Sequence, residues 1–113
     1  MQYMLLIYVP SDGSQQAESS AWGEYTQVLQ ESGAMVAGDG LQPGDTASTV
    51  RVRDGETLVT DGPFAETKEL LAGYYLIDVD DLDAALAWAA KMPNIAFGSV
   101  EVRPVMVYDP AQV

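Results

Sequence analysis

Hydrophobic and polar positions alternate, cluster or recur at helical spacing along the chain, and they predict a definite order of elements. Residues 2–9 put Tyr3, Leu5, Ile7 and Val9 on one face of a strand and Met4, Leu6 and Tyr8 on the other. Both faces are apolar, so both are expected to be covered. After the turn residues Pro10–Ser14, Trp22, Tyr25, Val28 and Leu29 recur as one apolar stripe and predict a helix from about Ala17 to Glu31, stopped by Gly33. Residues 34–37 read as a short strand and Gly38–Asp45 as a loop. Residues 47–53 and 56–60 read as a hairpin around Asp54-Gly55, the pair preferred in a type I′ turn. That turn sets Arg53 opposite Glu56, Val52 opposite Thr57 and Val50 opposite Val59.

Ala65–Leu71 reads as one irregular or helical turn, and residues 72–79 as a further strand apolar on both faces. A second helix is predicted over about 81–91, with Asp80 as its N-cap and Leu82, Ala85, Leu86 and Ala89 as its buried stripe. Lys91 suits its C-terminus, and Pro93 prevents its continuation. Residues 99–108 read as the last strand, with Val100, Val102, Met106 and Tyr108 on one face. The order β-α-β, hairpin, β-α-β is a ferredoxin-like α+β plan with an added hairpin. Two helices cover one sheet face only. The second apolar face is expected to meet a copy of itself, sheet on sheet, as a homodimer.

A chain of 113 residues is expected to be one domain, 1–113. Its 5 Lys and Arg against 17 Asp and Glu give a net charge of −12, which argues against nucleic acid or anionic membrane as partner. With no Cys and no His, disulfides, thiol nucleophiles, Ser-His-Asp triads and nearly every zinc, copper or haem site are excluded, and no cofactor is expected. The apolar N-terminus lacks preceding positive charge and a cleavage site, and no apolar run approaches a membrane span, so a soluble cytoplasmic protein is expected. The acids Asp78, Asp80, Asp81 and Asp83 lack the glycine and terminal Glu of a calcium loop and read as helix capping.

Residues 60–69, Thr-Asp-Gly-Pro-Phe-Ala-Glu-Thr-Lys-Glu, with Gly73-Tyr74-Tyr75 after them, resemble the DGPF-domain branch of the YCII-related family. Tyr3–Tyr8, Gly40-Leu41-Gln42-Pro43 and Val100-Glu101-Val102-Arg103-Pro104 are similar too, so the resemblance runs over almost the whole chain. It implies a ferredoxin-like fold that dimerises as an α+β barrel. Some related barrels are small-molecule enzymes such as muconolactone isomerases. A His–Asp pair has been proposed for YCII proteins; the Asp of the motif is present here as Asp61, and its His partner is absent. The resemblance also implies, by association, a setting beside extracytoplasmic-function sigma factors.

Asp61 reads in two ways: as a general acid or base in a half-buried cleft, or as turn chemistry bonding nearby backbone N–H groups. Arg51, Arg53, Arg103 and Lys68 suit a carboxylate or phosphate, or else cross-strand pairing with neighbouring acids. Tyr3, Tyr8, Tyr74 and Tyr75 either flank a pocket or serve as core and interface residues. In the functional reading Asp61 is the catalytic candidate, and Tyr8, Arg51, Pro63, Phe64, Lys68 and Tyr74 contact a small anionic or aromatic ligand in a cleft between sheet and hairpin. Three functions stay open: a small-molecule-binding homodimer with isomerase- or lactone-type proton transfer, a non-catalytic regulatory or interaction module with a protein partner such as a sigma factor, and a structural dimer with a vestigial pocket.

Overall fold

Strand β1 (Gln2–Pro10) lies near the middle of a four-stranded sheet in a computed structural model that describes residues 1–63 and 67–108. The chain continues through α1 (Ser19–Glu31), β2 (Met35–Gly40), a 3₁₀ turn (Gly44–Thr46), β3 (Ser48–Arg53), β4 (Glu56–Asp61), β5 (Glu69–Asp78), α2 (Leu82–Ala89) and β6 (Ser99–Pro104). The sheet order is β2-β5-β1-β6 with every neighbour antiparallel. This is the ferredoxin-like α+β arrangement. β3 and β4 form a separate two-stranded sheet.

The alternation along β1 decides which side the helices cover. Tyr3, Leu5 and Ile7 are buried with Tyr75 and Ile77 of β5, against Tyr25 and Leu29 of α1 and Ala85 of α2. Tyr25 ties the layers together. Its ring lies 5.4 Å from Tyr75 and meets Trp88 edge-on at 6.1 Å, and its hydroxyl donates to the Trp88 carbonyl. Burial, and then the neighbouring Tyr75, push the Tyr25 phenol well above its ordinary range. The other face presents Met4, Leu6 and Tyr8 of β1 beside Tyr74 and Leu76 of β5, all half-buried.

The hairpin register is the predicted one: Arg53 pairs with Glu56, Val52 with Thr57 and Val50 with Val59. Asp54 and Gly55 both adopt positive φ, as a type I′ turn requires. Gly33, also at positive φ, closes α1.

Other boundaries differ from the sequence expectation. α1 begins at Ser19 rather than Ala17. β2 runs on through Gly38-Asp39-Gly40, where a loop is predicted, because β5 pairs with it as far as Gly73. β5 starts at Glu69, where an irregular turn is predicted, because Tyr8, Val9 and Pro10 continue β1 past a bulge and pair with Leu71, Leu70 and Glu69. The cap of α2 is Asp81, whose carboxylate accepts from the Ala84 N–H at 2.9 Å, rather than Asp80. Lys91 lies beyond the helix, over the Trp88 ring. The last strand ends at Pro104, so Met106 and Tyr108 lie outside the sheet and exposed.

The helix stripes are also narrower than predicted. Val28 on α1 and Leu82 and Leu86 on α2 are exposed, while Ala85 and Ala89 meet the core. Small side chains let α2 approach the sheet closely, and the leucines are turned outward. No helix among the described residues is long and apolar enough to cross a membrane.

Candidate functional site

A cleft of about 630 Å³ opens on the helix side at the end of the sheet. β1 contributes Ile7 and Val9, α1 contributes Trp22 and Thr26, β5 contributes Leu70 to Tyr75, and Gly38 to Gly44 form a rim. The volume is in the range of small-molecule sites. Glycines thin the wall where β2 meets β5: a β-carbon on Gly73 would stand 2.7 Å from the Asp39 carbonyl oxygen, and one on Gly38 2.7 Å from the Tyr75 ring. At Gly73 the obstacle is backbone, so glycine there lets the strands pair at this distance.

Several of its polar groups are held by hydrogen bonds. The hydroxyls of Thr26 and Tyr75 are hydrogen-bonded at 2.6 Å. On the other face of the sheet, beside Leu6, the Tyr74 hydroxyl donates to Asp39 Oδ2 at 2.9 Å. That bond, and then the carboxylate charge, raise the Tyr74 phenol above its ordinary value.

Asn94 is fully buried and forms part of the lining. Its Nδ2 donates to the carbonyls of Tyr8 (3.0 Å) and Ser99 (3.2 Å), clamping the last β1–β6 pair. Its Oδ1 is buried and receives no hydrogen bond. An unmet buried acceptor of this kind costs about 1–3 kcal/mol.

A second, more open hollow is lined by Tyr8, Thr67, Lys68, Glu69, Ser99, Val100 and Glu101. Tyr8 donates to Glu101 at 3.4 Å, and Ser99 Oγ donates to Glu69 at 2.7 Å.

The residues singled out from the sequence are dispersed over these features. Tyr74 lines the main cleft; Tyr8 and Lys68 meet at the second hollow. Asp61 ends β4, exposed, and lines neither cavity; Pro63 beside it is exposed as well. Arg51 is half-buried on β3 opposite Leu58, whereas Asp61 pairs with Ser48. Alternation therefore sets Arg51 and Asp61 on opposite faces of the hairpin. Phe64 lies outside the described residues. The cleft that Tyr74 lines is on the helix side of the sheet rather than between sheet and hairpin.

Sequence reasoning passed over Asp39, Thr26 and Asn94. Each is a single polar residue in a segment with no motif, and only the fold brings them to one cleft. The glycines flanking Asp39 were the available signal, since glycine within a strand marks a close approach of backbones.

The sequence profile of the YCII-related domain matches residues 1–109 of this chain. The uncharacterized protein R00369 of Rhizobium meliloti (strain 1021) is 51% identical over 75 residues, a stretch that spans 65% of this chain and 60% of that relative's length.

Proposed function

The chain belongs to the YCII-related domain family, and on that premise we propose that it is a small-molecule-binding homodimer whose ligand occupies the helix-side cleft. The observation that carries this reading is the cleft itself: concave, walled mainly by apolar side chains, with a few positioned polar groups. The homodimer rests on the other sheet face. Met4, Leu6 and Leu76 form an apolar patch there that the helices leave uncovered, and a self-complementary face suits a two-fold interface.

The proton-transfer side of the proposal, isomerase- or lactone-type chemistry, falls to carboxylates, because the chain has no His and no Cys. Asp39 is the carboxylate among the described lining residues, and its side chain, bonded to Tyr74 on the open sheet face, would meet a ligand that reaches the rim from that side. Asp61 takes part in this reading only where a second copy carries a hairpin over a cleft.

A second reading, a non-catalytic interaction module, is favoured by the hairpin. Val50, Val52 and Val59 share one face of it and are each more than half exposed, an apolar surface suited to a protein partner. A sigma factor is the partner class the family resemblance suggests.

A thermal-shift screen against a metabolite panel, with hits located by backbone amide shifts, tests these readings. The cleft reading expects stabilising compounds that perturb Trp22, Gly38 and Gly73. A ligand at ~100 times its Kd stabilises by about 2.7 kcal/mol. Hits that perturb only the foot of the hairpin, and that are abolished by Asp61→Asn, would move the site to the motif. A dimer with no hits would favour the interaction module.

A further inference from the structure

Resting on the reading of the helix-side cleft as a ligand site, we infer that its ligand is a largely apolar small molecule that carries no negative charge. The sequence leaves an anionic and an aromatic ligand open, and the placement of the charged groups decides between them. The chain has five Lys and Arg, and the fold sends all of them elsewhere. Arg51 and Arg53 lie on β3 in the hairpin, Lys68 lines the second hollow, Lys91 stands over the Trp88 ring, and Arg103 pairs with Glu101 at 3.0 Å. None of them belongs to the cleft lining. An anion that enters therefore meets no counter-charge from this chain.

The acids point the same way. Asp39 is the carboxylate among the described lining residues. Strand register sets Gly38 beside Tyr75 on the helix side and Asp39 beside Tyr74 on the other, where the Tyr74 hydroxyl donates to it. Asp12 and Asp45, both exposed, adjoin the rim residues Ser11, Gly13 and Gly44. The N-cap of α1 is Glu18, next to Ala17 of the lining, so a carboxylate of the chain already stands at the positive end of that helix. With a net charge of −12, the protein repels a negative ligand on its approach.

Inside the cleft, Ile7, Trp22, Leu70 and Tyr75 offer apolar contact. The hydroxyls of Thr26 and Tyr75 bond to each other, and the Asn94 amide nitrogen is committed to the Tyr8 and Ser99 carbonyls. A carboxylate placed on this wall loses water and gains no paired charge, whereas a carboxamide of the same shape loses far less.

The test keeps the native full-length chain and varies the charge of the probe. Two pairs of nearly equal shape are used: 4-ethylbenzamide with 4-ethylbenzoate, and indole-3-acetamide with indole-3-acetate. Isotope-labelled protein is titrated with each in neutral buffer at about 0.05 M salt, where charge is least screened. Kd is read from the backbone amides of Trp22, Thr26, Gly38 and Gly73. Each carboxamide is expected to bind at least ~10-fold tighter than its carboxylate. A smaller gap, or the reverse order, would overturn the inference and leave the cleft reading standing. No probe shifting those amides would overturn the cleft reading, and this inference with it.

Discussion

Gly98 lies directly against the main chain of Tyr8: a β-carbon on Gly98 would stand 2.2 Å from the Tyr8 carbonyl oxygen. That same oxygen accepts from Asn94 Nδ2, so the contact sits at the clamp beneath the cleft. The obstacle is backbone and cannot rotate away. Gly98→Ala is expected to cost about 1–3 kcal/mol, several degrees in Tm for a domain of this size. Thermal unfolding followed by circular dichroism measures it. An unchanged Tm would mean that β1 and the α2–β6 loop can separate at no cost.

Gly23 gives the opposite sign. It lies inside α1, and a β-carbon there would meet nothing within 4 Å. Alanine at that position restricts the unfolded chain and keeps the helix. Gly23→Ala is expected to stabilise by about 0.5–1 kcal/mol, read as a higher urea midpoint at unchanged slope.

Tyr25 predicts a loss of stability at alkaline pH. Its folded-state phenol is held above the ordinary value, first by burial and then by Tyr75. The unfolded chain therefore releases this proton at ~10 while the folded chain retains it. The stability it contributes is fully present below ~10 and declines as pH rises beyond that. Urea midpoints at pH 8, 10 and 11 are expected to fall more steeply for the native chain than for Tyr25→Phe. The variant loses the bond to Trp88 at every pH and keeps the Tyr74 contribution, so the change in the difference isolates Tyr25. Parallel curves would count against a buried, unionised Tyr25.

Association through the open sheet face is expected to be opposed by charge and favoured by salt. Two copies bring −12 each, and raising ionic strength shortens the reach of that repulsion. Sedimentation analysis is expected to show a tighter dimer at about 0.5 M than at about 0.05 M salt. Leu76→Glu, opposite Met4 in the register, is expected to give a folded monomer. A monomer in the native chain at both salt concentrations would remove the homodimer from the proposal.

What was legible in the sequence was local. The Asp54-Gly55 turn fixes its own register, and the double-faced pattern of β1 survives in the fold as one buried and one half-buried face. What was not legible depended on distant partners. Gly38-Asp39-Gly40 carries the composition of a loop, yet β5 recruits it into the sheet, where a β-carbon on Gly38 would stand 2.7 Å from the Tyr75 ring. Leu82 and Leu86 carry helical spacing, yet two alanines dock α2. The site follows the same division. A contiguous motif drew attention to Asp61, which lines neither cavity, while Asn94 and Thr26 each looked like an ordinary loop or helix residue until the chain folded around them.

The β3–β4 hairpin has a bearing on handling the protein. It is a two-stranded ribbon with valines along one exposed face, and its edges pair with no other strand among the described residues. Such ribbons template further strands. The surplus of acids keeps neighbouring chains apart in neutral solution, and that defence disappears near the isoelectric point of about 4.1. Near that pH this ribbon, rather than the melting of the core, is expected to limit storage, and Val59→Lys is expected to slow aggregation followed by light scattering.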